Sequence, residues 1–370
     1  MKFSEFSEYL EKLEATSSRL SLIEILSELF KKTPDKEIEE IVYLIQGRIA
    51  PFFAPLEIGM AEKNVASSIG IAYGSDKEKV LKLNSKLGDM GKAAQELSNS
   101  KSSNITVSEV FEVLTQISKI SGEGTVEKRQ TLLSGLLSKV DAPSAKHLVR
   151  IPLGNTRLGI GDPTVLDALA TAKLGDKSKR KALEGAYNRT SDLGLIAKTL
   201  WEKGLSSVEK LEVRVGSPIR SELCERLPNP EKVIEKMIEV DVQYKYDGFR
   251  VQIHKDGDKV RMFSRNLEEM THMFPELIKA TLDQIKAKTV ILDSEALAYN
   301  PASEEFLPFQ ETTKRRRKHG IEEAAKALPL KAFVFDILYK DGEQLLDKPL
   351  TERMKILDKV LPIDDVLIRT

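Results

Sequence analysis

The sequence has little cysteine, no long apolar run and no excess of either charge. Among its 370 residues Cys224 is the only cysteine, which excludes a disulfide scaffold and a cysteine-rich zinc site and fits a reducing compartment. No stretch approaches the roughly 20 apolar residues of a membrane span. The first residues (MKFSEFSEYLEKLE) carry too many charges for a secretory signal. We therefore expect a cytoplasmic protein without a membrane partner.

The balance of charge gives only weak information about partners. There are 57 basic and 57 acidic side chains, so the formal net charge is zero. Residues 101–200, however, carry 15 lysines and arginines against 10 aspartates and glutamates. An excess of this size is common on solvated surfaces and by itself supports nucleic-acid binding only weakly. With 41% hydrophobic residues the chain is globular, and its length suits two or three domains.

The first half has the periodicity of helices. Apolar residues in the stretch 3–13 (FSEFSEYLEKL) fall on one helical face. Thr106 and Glu109 have the spacing of a capping box, and Thr33 before Pro34 predicts a hydroxyl cap at a helix start. The polar stretch 98–104 predicts a joint between two helical lobes. These patterns predict an all-α domain over residues 1–206.

The second half has the period of strands. Alternating apolar residues in 249–253 and 260–263 flank an Asp-Gly pair at 256–257, which is a strong hairpin signal. Short apolar runs at 290–292 and 332–335 predict buried strands. Residues 207–218, which include Gly-Ser-Pro, predict a linker, and residues 219–370 an α+β domain. The predicted fold is therefore multidomain: an all-α N-terminal domain followed by an α+β domain.

One stretch of the second half carries chemistry, residues 243–250 (QYKYDGFR). It predicts Lys245 at the end of a strand, with Asp247 two residues later and Gly248 allowing close backbone approach to a ligand. A lysine amine becomes a nucleophile once the site removes its proton. The alternative is a surface lysine before a tight turn.

Three further segments follow at intervals, and each adds a group that suits a nucleotide. Residues 263–266 (FSRN) offer Arg265, whose guanidinium fork fits phosphate or ribose. Residues 291–296 (ILDSEA) end a strand with Asp293 and Glu295, which suit a divalent cation or a ribose hydroxyl. Residues 333–336 (FVFD) offer Phe335, which could stack on a base or simply fill the core.

Together these segments resemble the covalent nucleotidyltransferases, and most closely the archaeal-type ATP-dependent DNA ligases. Residues 305–311 (EFLPFQE) and 315–320 (RRRKHG) also resemble these ligases, as do 121–124 (SGEG) and 153–161 (LGNTRLGIG) in the helical half. The resemblance covers essentially the whole chain. It implies an enzyme that seals nicks in duplex DNA, in replication, repair and recombination, with ATP and Mg²⁺ as cofactors.

The resemblance also implies roles for individual residues. Lys245 would attack the α-phosphate of ATP and become a lysine–AMP adduct. Arg250 and Arg265 would contact phosphate or ribose, and Glu295 the ribose or the metal ion. Two side chains would meet the adenine: these are Phe335 and Gln243, the latter where many relatives carry glutamate.

The helical half would then be the DNA-binding domain. It would grip the phosphates of nicked duplex DNA without reading sequence. Arg157, between two glycines, is the predicted contact there, unless its loop merely caps two helices. Arg315, Arg316 and Arg317, within the basic run 314–318, form either another phosphate contact or a solvated loop. We expect a monomer.

Two departures from the family pattern give further expectations. Related ligases continue beyond the last motif seen here with further lysines and an oligonucleotide-binding barrel. The chain is therefore expected to be incomplete within the nucleotidyltransferase (adenylation) domain, to lack the C-terminal OB-fold domain and to be inactive in nick sealing. At the position of residues 98–104, archaeal relatives carry a glutamine-and-aromatic segment that binds the sliding clamp. This stretch has no aromatic residue here, so the usual segment for clamp binding is not seen. The alternatives are a nick- or end-binding module without catalysis, an RNA ligase, a capping enzyme or an NAD-dependent relative.

Overall fold

The computed structural model describes residues 1–99, 104–222, 224–237, 239–317 and 319–370. They divide into two compact units. Unit 1 comprises Met1–Tyr187 and Asp192–Leu211, and unit 2 comprises Asn188–Ser191 and Glu212–Thr370. In the described ranges no helix is long and apolar enough to cross a membrane.

Helices build unit 1, and one isolated antiparallel bridge joins Lys2 to Thr106. In chain order the helices are α1 (Phe3–Glu14), α2 (Arg19–Lys32), α3 (Ile38–Ile45), α4 (Glu62–Tyr73), α5 (Lys77–Leu87), α6 (Met90–Leu97), α7 (Val107–Lys119), α8 (Thr125–Leu137), α9 (Ala142–Arg150), α10 (Asp162–Leu174), α11 (Arg180–Thr190), α12 (Leu193–Lys203) and α13 (Leu205–Glu209). The last residues of α11 belong to unit 2.

Local sequence signals explain several of these helices. The apolar stripe predicted in residues 3–13 is confirmed, because it lies buried along α1. The predicted capping box is also confirmed. The Thr106 hydroxyl accepts a hydrogen bond from the backbone amide of Glu109, and the Glu109 carboxylate accepts one from the backbone amide of Thr106. The cap predicted at Thr33 is wrong. Thr33 ends α2, and its hydroxyl donates to the carbonyl of Leu29 at 2.8 Å. Most of the joint predicted at 98–104 lies outside the described residues.

A curled sheet with helices against it forms unit 2. Its helices are α14 (Pro230–Lys236), α15 (Pro275–Gln284), α16 (Phe309–Thr312), α17 (Ile321–Ala327) and α18 (Leu350–Val360). Its strands are β1 (Phe249–Asp256), β2 (Lys259–Ser264), β3 (Thr289–Ala298), β4 (Leu330–Lys340), β5 (Glu343–Gln344) and β6 (Leu367–Arg369). The strand order is β2-β1-β3-β4-β5, and β6 pairs with β4 in parallel.

The predicted hairpin is confirmed. β1 and β2 pair antiparallel, with Asp256 opposite Lys259, and Gly257 in the turn has φ +57°. The two predicted buried strands are confirmed as β3 and β4. One face of the sheet packs on the hydrophobic core of the unit, to which Val251, Leu292 and Val334 contribute.

A segment that precedes β1 lies against the other face of the sheet, held by two polar side chains of β1. The Gly216 amide donates to Nδ1 of His254 at 2.9 Å. The amide of Gln252 exchanges hydrogen bonds of 2.7 and 3.0 Å with the backbone of Ile219. Burial lowers the pKa of His254 to about 3, so this histidine is neutral. Residues 212–218, predicted as linker, therefore pack with unit 2.

Candidate active site

Lys245 lies in an irregular, exposed segment four residues before β1. The expectation that it ends a strand is wrong, because no strand of the described residues precedes it and β1 begins only at Phe249. Gly248, between the two, is buried, and a Cβ atom built on it would lie 2.2 Å from the carbonyl oxygen of Ala296. Glycine is therefore required where the Lys245 segment enters the sheet beside β3.

Arg250 and Asp293 form a two-point ion pair on neighbouring strands. Nε of Arg250 donates to Asp293 Oδ1 at 2.7 Å, and its Nη2 contacts Oδ2. Burial raises the pKa of Asp293, while the guanidinium of Arg250 opposes that shift. Arg250, predicted to contact phosphate or ribose, thus has part of its hydrogen-bonding fork committed to a protein carboxylate.

Glu295 lies opposite Arg250 in the pairing of β1 with β3 and is half-buried. Burial raises the pKa of Glu295 above its ordinary value. The amide of Gly248 donates a hydrogen bond to its carboxylate, and this opposes the shift, as do the positive charges of Lys245 and Arg250. The structure thus brings Lys245, Arg250 and Glu295 close enough for their charges to interact.

Phe335 occupies an irregularity of β4. Asp293 pairs with Asp336 and the next residue, Ser294, pairs with Val334, so Phe335 is left over as a β-bulge. Its side chain is half-buried. Asp336 accepts hydrogen bonds of 2.8 and 3.1 Å from Nε and Nη2 of Arg353 on α18.

Aromatic rings pack around the Lys245 segment. Tyr246 stacks on Phe333, with ring centroids 4.0 Å apart and planes inclined by 15°. Phe306 meets the edge of Phe333 at 5.2 Å. Tyr246, Phe333 and Arg353 were not among the predicted site residues. For the first two, the aromatic residues inside the motif segments were an available signal; for Arg353 the local sequence offers none.

Two further predicted nucleotide contacts are exposed. Arg265 lies in the turn after β2, and in the described part of the chain no side chain holds its guanidinium. Gln243 precedes Lys245 in the irregular segment, and its Nε2 donates to Asp241 Oδ2 at 2.8 Å. Both side chains are therefore accessible to a ligand.

The structure separates the three arginines predicted to bind DNA in this unit. Arg315 is fully buried, where it pairs with Glu276 and lies 5.8 Å from the Phe274 ring centre. The prediction of a DNA contact is therefore wrong for Arg315, because phosphates cannot reach it. Arg316 pairs with Glu268 at 3.1 Å, and Arg317 donates to the Lys314 carbonyl; both are exposed. Lys318 lies outside the described residues.

Arg157 in unit 1 lies in the loop after α9 with φ +57°, a conformation unusual for a residue other than glycine. Its Nη2 donates to the Gly88 carbonyl at 2.7 Å, and its Nε lies 3.4 Å from Asp89 Oδ2. Nearly half of the side chain, 47%, is exposed. The same loop borders a cavity of about 250 Å³, whose lining includes Arg48 and Gly154.

A network of ion pairs joins α1 to α9, and it is linked to Arg157 through Asp89. Arg150 contacts both Glu14 oxygens, at 2.8 and 2.9 Å, and also Asp89. Its hydrogen bonds lower the pKa of Glu14 to about 2. Glu11, Glu14 and His147 are spaced closely enough to bind a metal ion, but Lys146 lies 2.5 and 2.9 Å from the two carboxylates. This cluster is therefore a set of ion pairs.

Comparison with known families follows the division into units. Residues 2–170 match the family described as DNA ligase N terminus, and residues 221–368 match the ATP dependent DNA ligase domain. The chain belongs to the ATP-dependent DNA ligase family. The motif segments that surround Lys245, Glu295 and Phe335 all lie within the second matched region.

Relatives in this ligase family match nearly the whole chain. A probable DNA ligase of Dictyoglomus turgidum is 44% identical over 364 residues, which is 98% of this chain and 62% of that protein. DNA ligase 2 of Thermofilum pendens is 40% identical and covers 100% of this chain and 64% of its own length. The DNA ligase of Saccharolobus solfataricus is 40% identical, with 99% and 63% covered. The chain thus spans less than two thirds of the length of these relatives.

Proposed function

We propose that the protein contributes the nucleotidyl-transfer and DNA-gripping parts of an ATP-dependent DNA ligase that seals nicks in duplex DNA, in replication, repair and recombination. The observation that carries the proposal is the setting of Lys245: a lysine on an accessible segment whose charge acts on the half-buried carboxylate of Glu295. The Arg250–Asp293 pair and the half-buried Phe335 lie on the adjacent strands β1, β3 and β4. The nearly full-length likeness to DNA ligases supports it.

In the proposed reaction Nζ of Lys245 attacks the α-phosphorus of ATP. The bond to the β-phosphate oxygen breaks, pyrophosphate leaves, and a phosphoramidate joins the lysine to AMP. The 5′-phosphate of a nick then takes the AMP and frees the lysine. Finally the 3′-hydroxyl attacks that 5′-phosphorus, AMP leaves, and the phosphodiester bond is closed.

The other residues of unit 2 orient the nucleotide. Arg265 has its guanidinium available to the solvent, so we assign it the phosphate or ribose contact. Arg250 contributes its charge from a position fixed by Asp293. Phe335 stacks on the adenine, and Gln243, which can donate and accept, meets the edge of the ring.

The donor set also fits a divalent cation. Glu295 offers carboxylate oxygens, which Mg²⁺ prefers. Burial raises the pKa of Glu295, and an added positive charge would oppose that shift by favouring the ionised form. Asp293 already forms an ion pair with Arg250 and is therefore the weaker candidate for binding the cation. When bound, Mg²⁺ would neutralise charge on the transferring phosphate.

We place DNA binding in unit 1, which corresponds to the all-α domain that we propose for residues 1–206. Its support is the excess of positive charge in 101–200 and the exposed guanidinium of Arg157 on a loop whose Gly154 and Gly159 also have positive φ. Backbone amides and charge together suit phosphate contacts without base readout.

Covalent labelling tests the nucleotide part of the proposal. The 370-residue chain is incubated with ATP or GTP labelled at the α-phosphate, or with NAD labelled in its adenylate half, and then denatured. We expect label from ATP alone. Label from NAD would instead favour the NAD-dependent branch, and label from GTP would favour a capping-type enzyme.

Binding to nicked duplex DNA tests the second part. Gel shifts at several salt concentrations should give an affinity that falls steeply with salt, because phosphate contacts release counterions. Arg157→Gln should reduce the slope of log affinity against log salt by about one, the value for a single phosphate contact. Lys79→Gln, at an exposed lysine elsewhere in unit 1, is the matched control. An unchanged slope for Arg157→Gln would remove this residue from the interface.

A further inference from the structure

The carboxylate of Asp336 accepts a backbone hydrogen bond beside the bulge at Phe335. Val334 and Ile337 both pack in the core of unit 2, so the two residues between them turn toward the face that carries Arg250 and Glu295. Oδ1 of Asp336 accepts the amide hydrogen of Ile337 at 2.8 Å. A buried amide needs a partner, and this side chain supplies it where the strand pairing is interrupted.

Arg353 holds that carboxylate in place. Its Nε and Nη2 donate to the two oxygens of Asp336, and its Nη1 donates to the carbonyl of Lys348 at 2.5 Å. All three contacts use the planar fork that distinguishes arginine from lysine. The Arg353 and Asp336 side chains are only 17% and 20% exposed, so water screens the pair weakly.

Two acidic side chains, Asp336 and Asp293, lie next to each other here, and each pairs with its own arginine. Asp336 lies directly opposite Asp293 in the pairing of β3 with β4, and its charge raises the pKa of Asp293. Each carboxylate has its own two-point arginine, Arg250 for Asp293 and Arg353 for Asp336. Loss of Arg353 would leave Asp336 facing another acid, and the favoured response is for its side chain to turn away from the bulge.

We propose that Arg353 is a positioning residue for nucleotide binding, which acts through Asp336 to set the bulge and hence the ring of Phe335. This inference rests on the proposed function, since it assumes that Phe335 stacks on the adenine. Arg353 itself need not touch the nucleotide. We expect Arg353 to affect the affinity for the base and not the rate at which Lys245 attacks.

A double-mutant cycle tests the inference in the 370-residue chain. The probe is 2-aminopurine riboside triphosphate, whose fluorescence is quenched when its base stacks on an aromatic ring. Phe335→Ala should weaken binding about 5- to 150-fold, the loss of one base stack, and abolish the quench. Arg353→Gln should weaken binding by about tenfold and reduce the quench, yet have little further effect in the Phe335→Ala background.

Two further readouts separate positioning from simple stabilisation. At saturating ATP the rate of Lys245–AMP formation should stay within about twofold in Arg353→Gln, with KM raised. Arg353→Lys, which keeps the charge, should restore part of the quench. Arg369→Gln loses ion pairs to Asp358 and Asp364 and should leave binding and quench unchanged. If Arg353→Gln does not fold, Asp336→Asn is measured in its place, with the same expectations.

Additive losses from Arg353→Gln and Phe335→Ala would overturn the inference, because the two residues would then act independently. So would a variant with lower thermal stability but unchanged probe binding and quench. A wild-type chain that neither binds the probe nor forms the ATP adduct would overturn the proposed function, and the inference with it.

Discussion

Tyr246 stacks face to face on Phe333, with the ring centroids 4.0 Å apart. The contact joins the residue that follows Lys245 to Phe333 of β4, two positions before Phe335. Residues 241–247 form no strand, so backbone pairing does not fix them. This ring pair is therefore a contact that determines where Lys245 lies relative to β4.

Removal of the Tyr246 ring should slow adduct formation at Lys245. An aromatic pair contributes about 0.5–1.5 kcal/mol beyond its buried area, so Tyr246→Ala should reduce the single-turnover rate of labelling by ATP several-fold. Tyr246→Phe keeps the ring and should label normally. The control is Phe52→Ala, since Phe52 is exposed and lies in unit 1, whereas Tyr244 has its ring 6.3 Å from that of Tyr246. Labelling of Tyr246→Ala at the wild-type rate would show that the stack does not position the lysine.

His147 should make the stability of unit 1 depend on pH. Burial lowers the pKa of His147 to about 4, while an unfolded histidine titrates near 6.5. Between these values the unfolded state binds more protons, so stability is fully present above pH 6.5 and is lost as the pH falls toward 4. The loss from this group is at most roughly 3 kcal/mol.

Urea unfolding followed by the fluorescence of Trp201 measures this dependence. Trp201 is the single tryptophan of the chain and lies in unit 1. His147→Gln should be less stable than wild type at pH 7.5 and should lose less stability between pH 6.5 and 4.5. A variant with the same pH slope as wild type would assign the titration to other groups.

Arg315 and Arg317 should behave in opposite ways despite their position in one basic run. Arg315 is buried against Glu276, and removal of one member of such a pair costs about 3–5 kcal/mol. Arg315→Gln should therefore lower the free energy of unfolding of unit 2 and leave the salt slope of DNA binding unchanged. Arg317→Gln should leave stability unchanged.

If Arg317 contacts a phosphate, its substitution should also reduce the salt slope by about one. Gel shifts and urea unfolding of both variants check the pair of predictions. A fully stable Arg315→Gln protein with a reduced salt slope would mean that Arg315 reaches the DNA after all.

Local patterns in the sequence were sufficient for features that depend on neighbouring residues. The turn at Asp256 and Gly257 and the capping box of Thr106 need only a few residues, and both were predicted correctly. Thr33 was assigned to the wrong helix end, because a hydroxyl before a proline is compatible with the end of one helix as well as the start of another.

Features that depend on distant residues could not be predicted in this way. Arg315 is buried by Glu276, which lies 39 residues away, and a run of basic residues looks like a solvated loop until that partner is known. Arg353 reaches back 17 residues to Asp336. The bulge at Phe335 arises from the register of β4 against β3, which no local spacing of apolar residues reveals.

Mapping of the adduct tests most directly whether Lys245 carries the AMP. Wild type, Lys245→Ala and Lys245→Arg are incubated with labelled ATP, digested and analysed by mass spectrometry, with Lys279→Ala, at an exposed lysine, as the control. We predict AMP on the Lys245 peptide in wild type and in the control, and none in either Lys245 variant, since arginine keeps the charge but is not a usable nucleophile. Label that persists in Lys245→Ala, or that maps to another residue in wild type, would contradict the assignment.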